Sequence, residues 1–482
     1  MPLIVSAFTH IWNPVGFPDI FYDEGIYMRR AMHVLQGLGP QESYFYDHPF
    51  FGQLFLAAAL GIIGYPHSLN PNSGDIHSIE MLYIIPRIII GILSVLDTLL
   101  IYKISEYHYN SKVALFASLL FASMPITWIN RRILLDTILL PFLLSSIFFA
   151  IHLRHSSFRS LPILASGISL GLAIFTKIPI LLIIPVVGFL IFNNAGKSKK
   201  IVGLWLIPVT LIPLIWPAHA AFLGQFNLWF KDVIWQTQRD NNGFGNIVWF
   251  FFLVDPVLLI LSCAGIIYAI IQRDYFILLW IIPFLIFLSI IGFVQYFYWI
   301  PILPACCIAA SIFIIHLLEK ISKAKFKRIL LFTITSGIII FGLVNTTMLI
   351  TTDISGQFKV SAFVLKFLHQ TNGNNNNYKV TLIASPVYSW IFNYIFNKKY
   401  VFSDYRDLLY SPIPTKKFLL IDDPHFDSNV RSQRQLLQIY KNTTIIATFK
   451  GDVLNFDLHK YPYVSMTKNY EGSAIEIRIG SK

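Results

Sequence analysis

From residue 81 to residue 350 the chain alternates long apolar runs with short polar breaks. Ten runs stand at about 81–103, 112–129, 134–153, 160–175, 178–192, 201–222, 247–271, 275–294, 299–318 and 329–350. Most approach the twenty or so apolar residues that a helix needs to cross a bilayer core, which predicts a polytopic α-helical membrane protein. Gly167 and Gly171, four apart, form a small-xxx-small pair where a neighbouring helix can approach closely.

The ends of the chain follow other patterns. Residues 3–12 are apolar but too short to span, and they lack the basic start and small-residue cleavage site of a signal peptide. They are either a shortened first helix or a segment that dips into the interface. Residues 48–65 resemble a span in length, yet Pro49, Gln53 and three glycines suit an interfacial or re-entrant helix equally well. Residues 222–245 alternate Trp and Phe with charged positions, as an amphipathic helix on the membrane surface does. Beyond 350 the polarity becomes ordinary. Strand-like runs at 379–384, 418–421, 444–449 and 474–479 and a helix-like run at 387–396 predict a C-terminal soluble α/β domain at 351–482, with the Asn374–Asn377 run as a loop tip.

Charge gives the topology. Lys320, Lys323, Lys325, Lys327 and Arg328 make the loop at 319–328 the most basic, and placing it in the cytoplasm puts the loops at 272–274, 193–200, 154–159 and 104–110 beside it. Residues 130–133, 176–177, 223–246, 295–298 and everything after 351 then lie outside. If residues 48–65 do not cross, the first outer loop, about 13–80, joins them. Localisation in a cell membrane, with active site and C-terminal domain on the outer face, is the resulting expectation.

Composition agrees. The 482 residues are 55% hydrophobic and 13% charged, well under the roughly 25% charge of soluble domains. Mean hydropathy is +0.62. The net charge of +12 sits largely in loops between spans and is no nucleic-acid footprint. Cys263, Cys306 and Cys307 lie in apolar runs, which argues against disulfides and a zinc site.

In so apolar a chain, polar residues near the outer face are candidates for chemistry. Asp23 and Glu24 are adjacent, so on a helix they diverge by about a hundred degrees and cannot serve one proton. One can act on a substrate hydroxyl while the other binds a neighbour, or both can offset a helix dipole. Arg131 and Arg132 run against the positive-inside rule, and a lipid-linked phosphate would explain them. Asp136, four residues after Arg132, offers a local ion pair as the plainer account. Arg87 and Lys177 suit either snorkelling anchors or further phosphate contacts. His48 suits either a structural role or a bond to a sugar or acid. No phosphate-cradling glycine loop, zinc-protease motif or serine elbow is present.

The succession Asp23-Glu24, Asp47-His48-Pro49-Phe50, Ile85-Pro86-Arg87, Arg131-Arg132-Ile133-Leu134-Leu135-Asp136 and Gly171-Leu172-Ala173-Ile174-Phe175-Thr176-Lys177 resembles the GT-C glycosyltransferases of the protein O-mannosyltransferase and aminoarabinose transferase type (glycosyltransferase family 39-like). The likeness covers about residues 15–320. It implies a transmembrane GT-C-like domain over 1–350 and a non-crossing interfacial helix after His48. It implies Asp23, Glu24 and Asp136 as catalytic acids, with Asp23 the base or acceptor-binding acid. Arg131 or Arg132 would hold the donor phosphate, with Arg87 and Lys177 beside it, and Asp47, His48 and Tyr298 would contact acceptor or sugar. Two positions depart from the pattern: Phe50 replaces a second proline, and Gln295-Tyr296 stands where relatives often carry Arg-Tyr before the proline.

The implied reaction is inverting transfer of a mannose-like or other hexose from a polyprenyl or dolichyl phosphate to a hydroxyl on a protein, lipid or glycan acceptor. It requires no cofactor and leaves room for a divalent metal. Membrane lipids are expected partners and nucleic acid is not. A transporter or receptor with an outer binding domain is the alternative; charges gathered at one face and no internal repeat weigh against it.

Overall fold

The computed structural model describes residues 1–42, 45–69, 75–155, 160–239, 243–321, 324–351, 356–373, 379–423, 434–450 and 474–481. The Asn374–Asn377 run lies outside them. The chain is a multi-pass α-helical membrane protein with a small C-terminal sheet domain. Among the described residues five helices are long and apolar enough to cross a bilayer, and seven if two bent pairs each count as one.

α1 (Pro2–Ile11) is short, as the sequence implies, and it packs into the bundle. Thr9 Oγ1 donates to Ala122 O at 2.7 Å, and Thr98 Oγ1 donates to Ser6 Oγ at 2.8 Å. α2 (Tyr22–Leu35) begins where the Glu24 carboxylate turns back to accept from the Phe21 N–H at 2.8 Å, satisfying one of the donors a helix start leaves open. α3 (Phe51–Ile62) has 12 residues, a length of about 18 Å. That is too short to span, so the run at 48–65 does not cross as a single helix.

α4 (Ile76–His108) follows, capped by Asp75 accepting from Ser78 N at 2.8 Å. α5 (Ser111–Ser123) is capped by Asn110. It runs into a 3₁₀ turn at Pro125–Arg131 bent by 69°, so the predicted span at 112–129 is broken. Then come α6 (Leu135–His152), α7 (Ser160–Ile174), α8 (Ile184–Asn194) and α9 (Lys199–Phe222). Gly167 and Gly171 do face a neighbour closely: a Cβ at either would collide with Pro208 or the Trp205 carbonyl on α9. α10 (Phe226–Thr237) is the surface helix, its Phe226, Phe230 and Trp235 exposed while Asp232 turns inward to accept from Tyr46 N at 2.8 Å.

The predicted span at 247–271 is the largest departure. α11 (Phe244–Val254) and α12 (Pro256–Gln272) meet at 118°. Proline biases the residue before it away from helical backbone and lacks the N–H to continue the ladder. Asp255 instead caps α12 through Leu258 N at 2.9 Å. α13 (Tyr275–Ile290), α14 (Leu303–Ile321) and α15 (Ala324–Ile350) complete the bundle.

Contacts between loops distant in sequence mark two ends of the bundle. Tyr109 donates to Asp274 at 2.7 Å and Lys112 pairs with Glu319 at 2.9 Å at one end. At the other, Lys177 meets Asp136, and Phe51 N donates to Phe175 O.

The C-terminal domain opens with α16 (Gln357–Gly373). β1 (Val380–Ile383), β2 (Lys417–Asp422), β3 (Thr443–Lys450) and β4 (Ala474–Ser481) form one sheet in the order β1-β2-β4-β3. β1 and β2 are parallel and the other pairs antiparallel. α17 (Pro386–Trp390) follows β1, and α18 (Arg434–Lys441) precedes β3. The domain sits on the helices: Tyr83 of α4 donates to Val387 O at 3.0 Å and accepts from Trp390 Nε1 at 2.9 Å.

Candidate active site

Two adjacent acids at the start of α2 part company, as their angular separation requires. Glu24 turns into the protein and is fully buried. Arg87 approaches it at 3.1 and 2.8 Å, Arg132 at 3.2 Å, and Ile133 N donates to it at 3.0 Å. Although burial alone would raise it, Arg87 and then Arg132 hold its carboxyl below the ordinary range. Glu24 is therefore the counter-ion of a buried cluster.

The arginines of that cluster are spent. Arg87 also donates to Pro14 O at 2.6 Å, Pro18 O at 2.7 Å and Asp19 O at 3.0 Å. Arg132 donates to Asp19 O at 2.6 Å and pairs with its carboxylate at 2.9 Å. Arg131 donates to the carbonyls of Thr9 (2.6 Å), Asn13 (3.0 Å), Phe17 (2.9 Å) and Trp12. These guanidiniums supply the irregular segment 12–19 with the donors that a helix or strand would otherwise provide. The geometry thus corrects three expectations: Arg131, Arg132 and Arg87 are not presented to a donor phosphate, Glu24 is not presented to substrate, and Arg132 pairs with Asp19 and Glu24 instead of Asp136.

Asp23 faces the other way. It is half-buried and takes no hydrogen bond or ion pair among the described residues. Burial pushes its carboxyl up to about 6, opposed by Lys177 and Arg239 and reinforced by Asp47 and Asp136. Those same groups define the rest of the site.

Lys177, in the break after α7, reaches both oxygens of Asp136 in the first turn of α6, at 2.9 and 2.7 Å. Its ammonium lies 4.1 Å from the centre of the Tyr298 ring and 5.1 Å from that of Phe297, within the range of cation–π attraction. Asp47 pairs with Arg30 at 2.9 Å and accepts from His48 N at 2.9 Å. Burial works against its charge, but Arg30 holds the carboxyl below its usual range. The His48 imidazole is half-buried, and burial lowers it to about 4, so it is neutral near pH 7. Asp23, Asp47, His48, Asp136, Lys177 and Tyr298 thus gather at one end of the bundle, in one another's electrostatic range. Among the described residues no three His, Cys, Asp or Glu side chains are grouped to hold a metal ion.

Residues 80–218, which include Arg87, Asp136 and Lys177, match the family model for dolichyl-phosphate-mannose-protein mannosyltransferase. The fold is similar to crystal structures of ArnT from Cupriavidus metallidurans. In the apo state the TM-score is 0.60 at 12% identity, over 99% of this chain and 96% of that one. With ArnT bound to undecaprenyl phosphate it is 0.59 at 13% identity, over the same shares. The fold is therefore that of the GT-C glycosyltransferases. The oligosaccharyltransferase AglB from Archaeoglobus fulgidus, in complex with an inhibitory peptide and a dolichol-phosphate, has a TM-score of 0.58 at 12% identity over 89% of this chain and 69% of that one. No curated protein sequence matches the chain.

Two further side chains that the sequence did not single out lie at the same end of the bundle. Arg239, just after α10, lies with its guanidinium 3.5 Å from the centre of the Phe293 ring and bears on Asp23, His48 and Tyr298 electrostatically. Arg30 fixes Asp47. Arg30 was legible only as one of two arginines on a helix, and Arg239 only as the end of a surface segment; nothing local distinguishes either. Among the described residues the cations that bear on Asp23 are Lys177 and Arg239, from two different loops.

Proposed function

We propose that the protein transfers a hexose from a polyprenyl or dolichyl phosphate to an acceptor hydroxyl, with inversion, on the extracytoplasmic face of the membrane. The observation that carries this reading is Asp23: a half-buried carboxylate, unpaired among the described residues, with its proton affinity raised, flanked by Lys177 and Arg239. Asp23 takes the proton of the acceptor hydroxyl as its oxygen attacks the anomeric carbon. The bond from that carbon to the phosphate oxygen breaks, and its electrons stay with the departing lipid phosphate. General-base assistance of this kind is worth about 10²- to 10⁴-fold.

Lys177 and Arg239 stabilise the charge that gathers on the phosphate, in place of Arg131 and Arg132. Lys177 is held by Asp136, and Arg239 is stacked on Phe293, so both cations are set in advance. Asp47, His48 and Tyr298 serve as polar contacts to sugar or acceptor. The phosphate is itself the leaving group and its charge has two cationic partners, so the chemistry needs no metal. Solved complexes of ArnT with undecaprenyl phosphate and of AglB with dolichol-phosphate support a lipid phosphate as the donor class. The basic loop at 319–328 supports an outward-facing site.

The test is turnover in proteoliposomes supplied with polyprenyl-phosphate hexoses and a mixture of hydroxyl acceptors. Product whose anomeric configuration is opposite to the donor's, lost in Asp23→Asn, is expected. Full turnover by Asp23→Asn rejects the assignment. Labelling of a cysteine introduced at the exposed Gln238, in a background with Cys263, Cys306 and Cys307 replaced, by an impermeant reagent added outside whole cells tests the orientation.

A further inference from the structure

Among the described residues Asp23 has no hydrogen-bond or ion-pair partner, so its placement rests on the backbone of α2. Glu24 ties the first turn of that helix to the bundle, and Arg30, through Asp47, holds it a turn and a half further on. The C-terminal domain grips the same stretch from the other side. Ile20 N donates to Gln357 Oε1 at 2.9 Å while Gln357 Nε2 donates to Ile20 O at 2.9 Å, so one side-chain amide pairs both backbone groups as a neighbouring strand would. The Tyr22 hydroxyl donates to the Asp404 carboxylate. Arg29 donates to Ser403 O at 3.3 Å. Gly25 lies directly on the start of α17, where a Cβ would collide with the Pro386 carbonyl and Val387 N.

Residues 20, 22, 25 and 29 are therefore held by three separate parts of the domain: the start of α16, the start of α17 and the turn at 403–404. That turn is itself braced, since Ser389 donates to Ser403 O at 2.6 Å and Asp404 N donates to Asp407 at 3.1 Å. Tyr22 and Asp23, one residue apart, point about a hundred degrees from each other, the first into the domain and the second into the site. The contacts of Glu24 and Arg30 hold α2 on its bundle side; those of Ile20, Tyr22 and Gly25 hold its start on the opposite side and fix the turn from which Asp23 projects.

We propose that the C-terminal domain positions the catalytic carboxylate, with Gln357, Tyr22 and Asp404 acting as positioning residues for Asp23. This rests on the reading of Asp23 as the base. Misplacing a reacting group by about 1 Å costs on the order of a hundredfold in rate, so loosening α2 acts on turnover and not on donor binding, which falls to Lys177 and Arg239 in the bundle and its loops.

The experiment uses full-length protein in nanodiscs with a panel of farnesyl-phosphate-linked hexoses, and compares Gln357→Ala, Tyr22→Phe, Asp404→Asn and the Tyr22→Phe/Asp404→Asn double variant. Expected are kcat values about ten- to a hundredfold down with donor KM within about twofold, and a double variant no slower than either single one, since both act through one hydrogen bond. Hydrogen exchange of the amides at 22–26 is expected to speed up while that of α4 stays unchanged. Unchanged kcat and exchange in Gln357→Ala and Tyr22→Phe, with Asp23→Asn inactive, overturns the positioning role alone. Turnover retained in Asp23→Asn removes the base reading instead, whereas the exchange measurement still reports whether the domain holds α2.

Discussion

If Asp23 is the base, its replacement should leave the protein more stable as well as inactive. In the folded chain, burial raises the carboxyl from 3.8 to about 6. Two units at about 1.4 kcal/mol each give ~3 kcal/mol, and because the side chain is only half-buried, solvent screening brings the figure to about 2 kcal/mol. Below about pH 4 the group is protonated in folded and unfolded chains alike, and no penalty exists. As pH rises through about 6 the folded chain must hold an ionised carboxylate that water would solvate better, and this stability is lost. Asp23→Asn keeps the shape and removes the titration. Thermal unfolding of detergent-solubilised protein between pH 4 and pH 8 is therefore expected to show matching midpoints at pH 4 and a higher midpoint for the variant at pH 7.5. In parallel, hexose transfer should fall by two to four orders of magnitude. A variant that is equally or less stable at pH 7.5 would refute the claim that Asp23 is desolvated without a compensating partner.

Four further outcomes follow from the same geometry. Transfer by the unaltered protein should rise with pH and level off above about 6 as Asp23 ionises, with His48, lowered to about 4, adding no second step in that range; a rate independent of pH between 5 and 7 contradicts this. Glu24→Gln, one residue from the base, should destabilise by about 3–5 kcal/mol because it strips the buried counter-charge from Arg87 and Arg132, and a melting midpoint equal to that of the unaltered protein would show the cluster to be unimportant. Lys177→Met leaves Asp136 buried and unpaired and should cost a similar amount, while Lys177→Met with Asp136→Leu regains stability but not activity. Arg239→Ala should leave the melting midpoint within about 1 kcal/mol yet reduce kcat/KM at least tenfold, as measured with saturating acceptor.

How much of this was legible in the sequence depends on the range over which each feature is decided. Membrane helices are decided locally, by apolar length: five of the ten runs form helices long and apolar enough to cross, two more do so as bent pairs, and those at 160–175, 178–192 and 275–294 form shorter apolar helices. The two breaks within the runs were not legible. The apolar run at 247–271 continues across Asp255-Pro256, and only that dipeptide, a cap followed by a residue suited to a first helical turn, marks the bend of 118°. The fate of charged side chains is decided by what arrives from elsewhere in the chain. Arg132 has Asp136 at a spacing that invites a local pair, but its partners are Asp19 and Glu24, more than a hundred residues away. Asp136 in turn pairs with Lys177. Position relative to the membrane could therefore nominate these residues, but only the packing could divide them into a buried cluster and an open site.

The guanidinium clamp on residues 12–19 also carries a consequence for biosynthesis. The ribosome releases Glu24 well before its partners exist: Arg87 lies 63 residues later and Arg132 lies 108 residues later. Arg131, which closes on Thr9, follows it by 122. The carbonyls of this segment must stay hydrated at the membrane surface until α4 and the turn after α5 have been inserted. Only then does the segment dry and harden. The grip on Ile20 by Gln357 comes later still, 337 residues behind. A candidate site that begins near the amino terminus is thus completed from the carboxyl end.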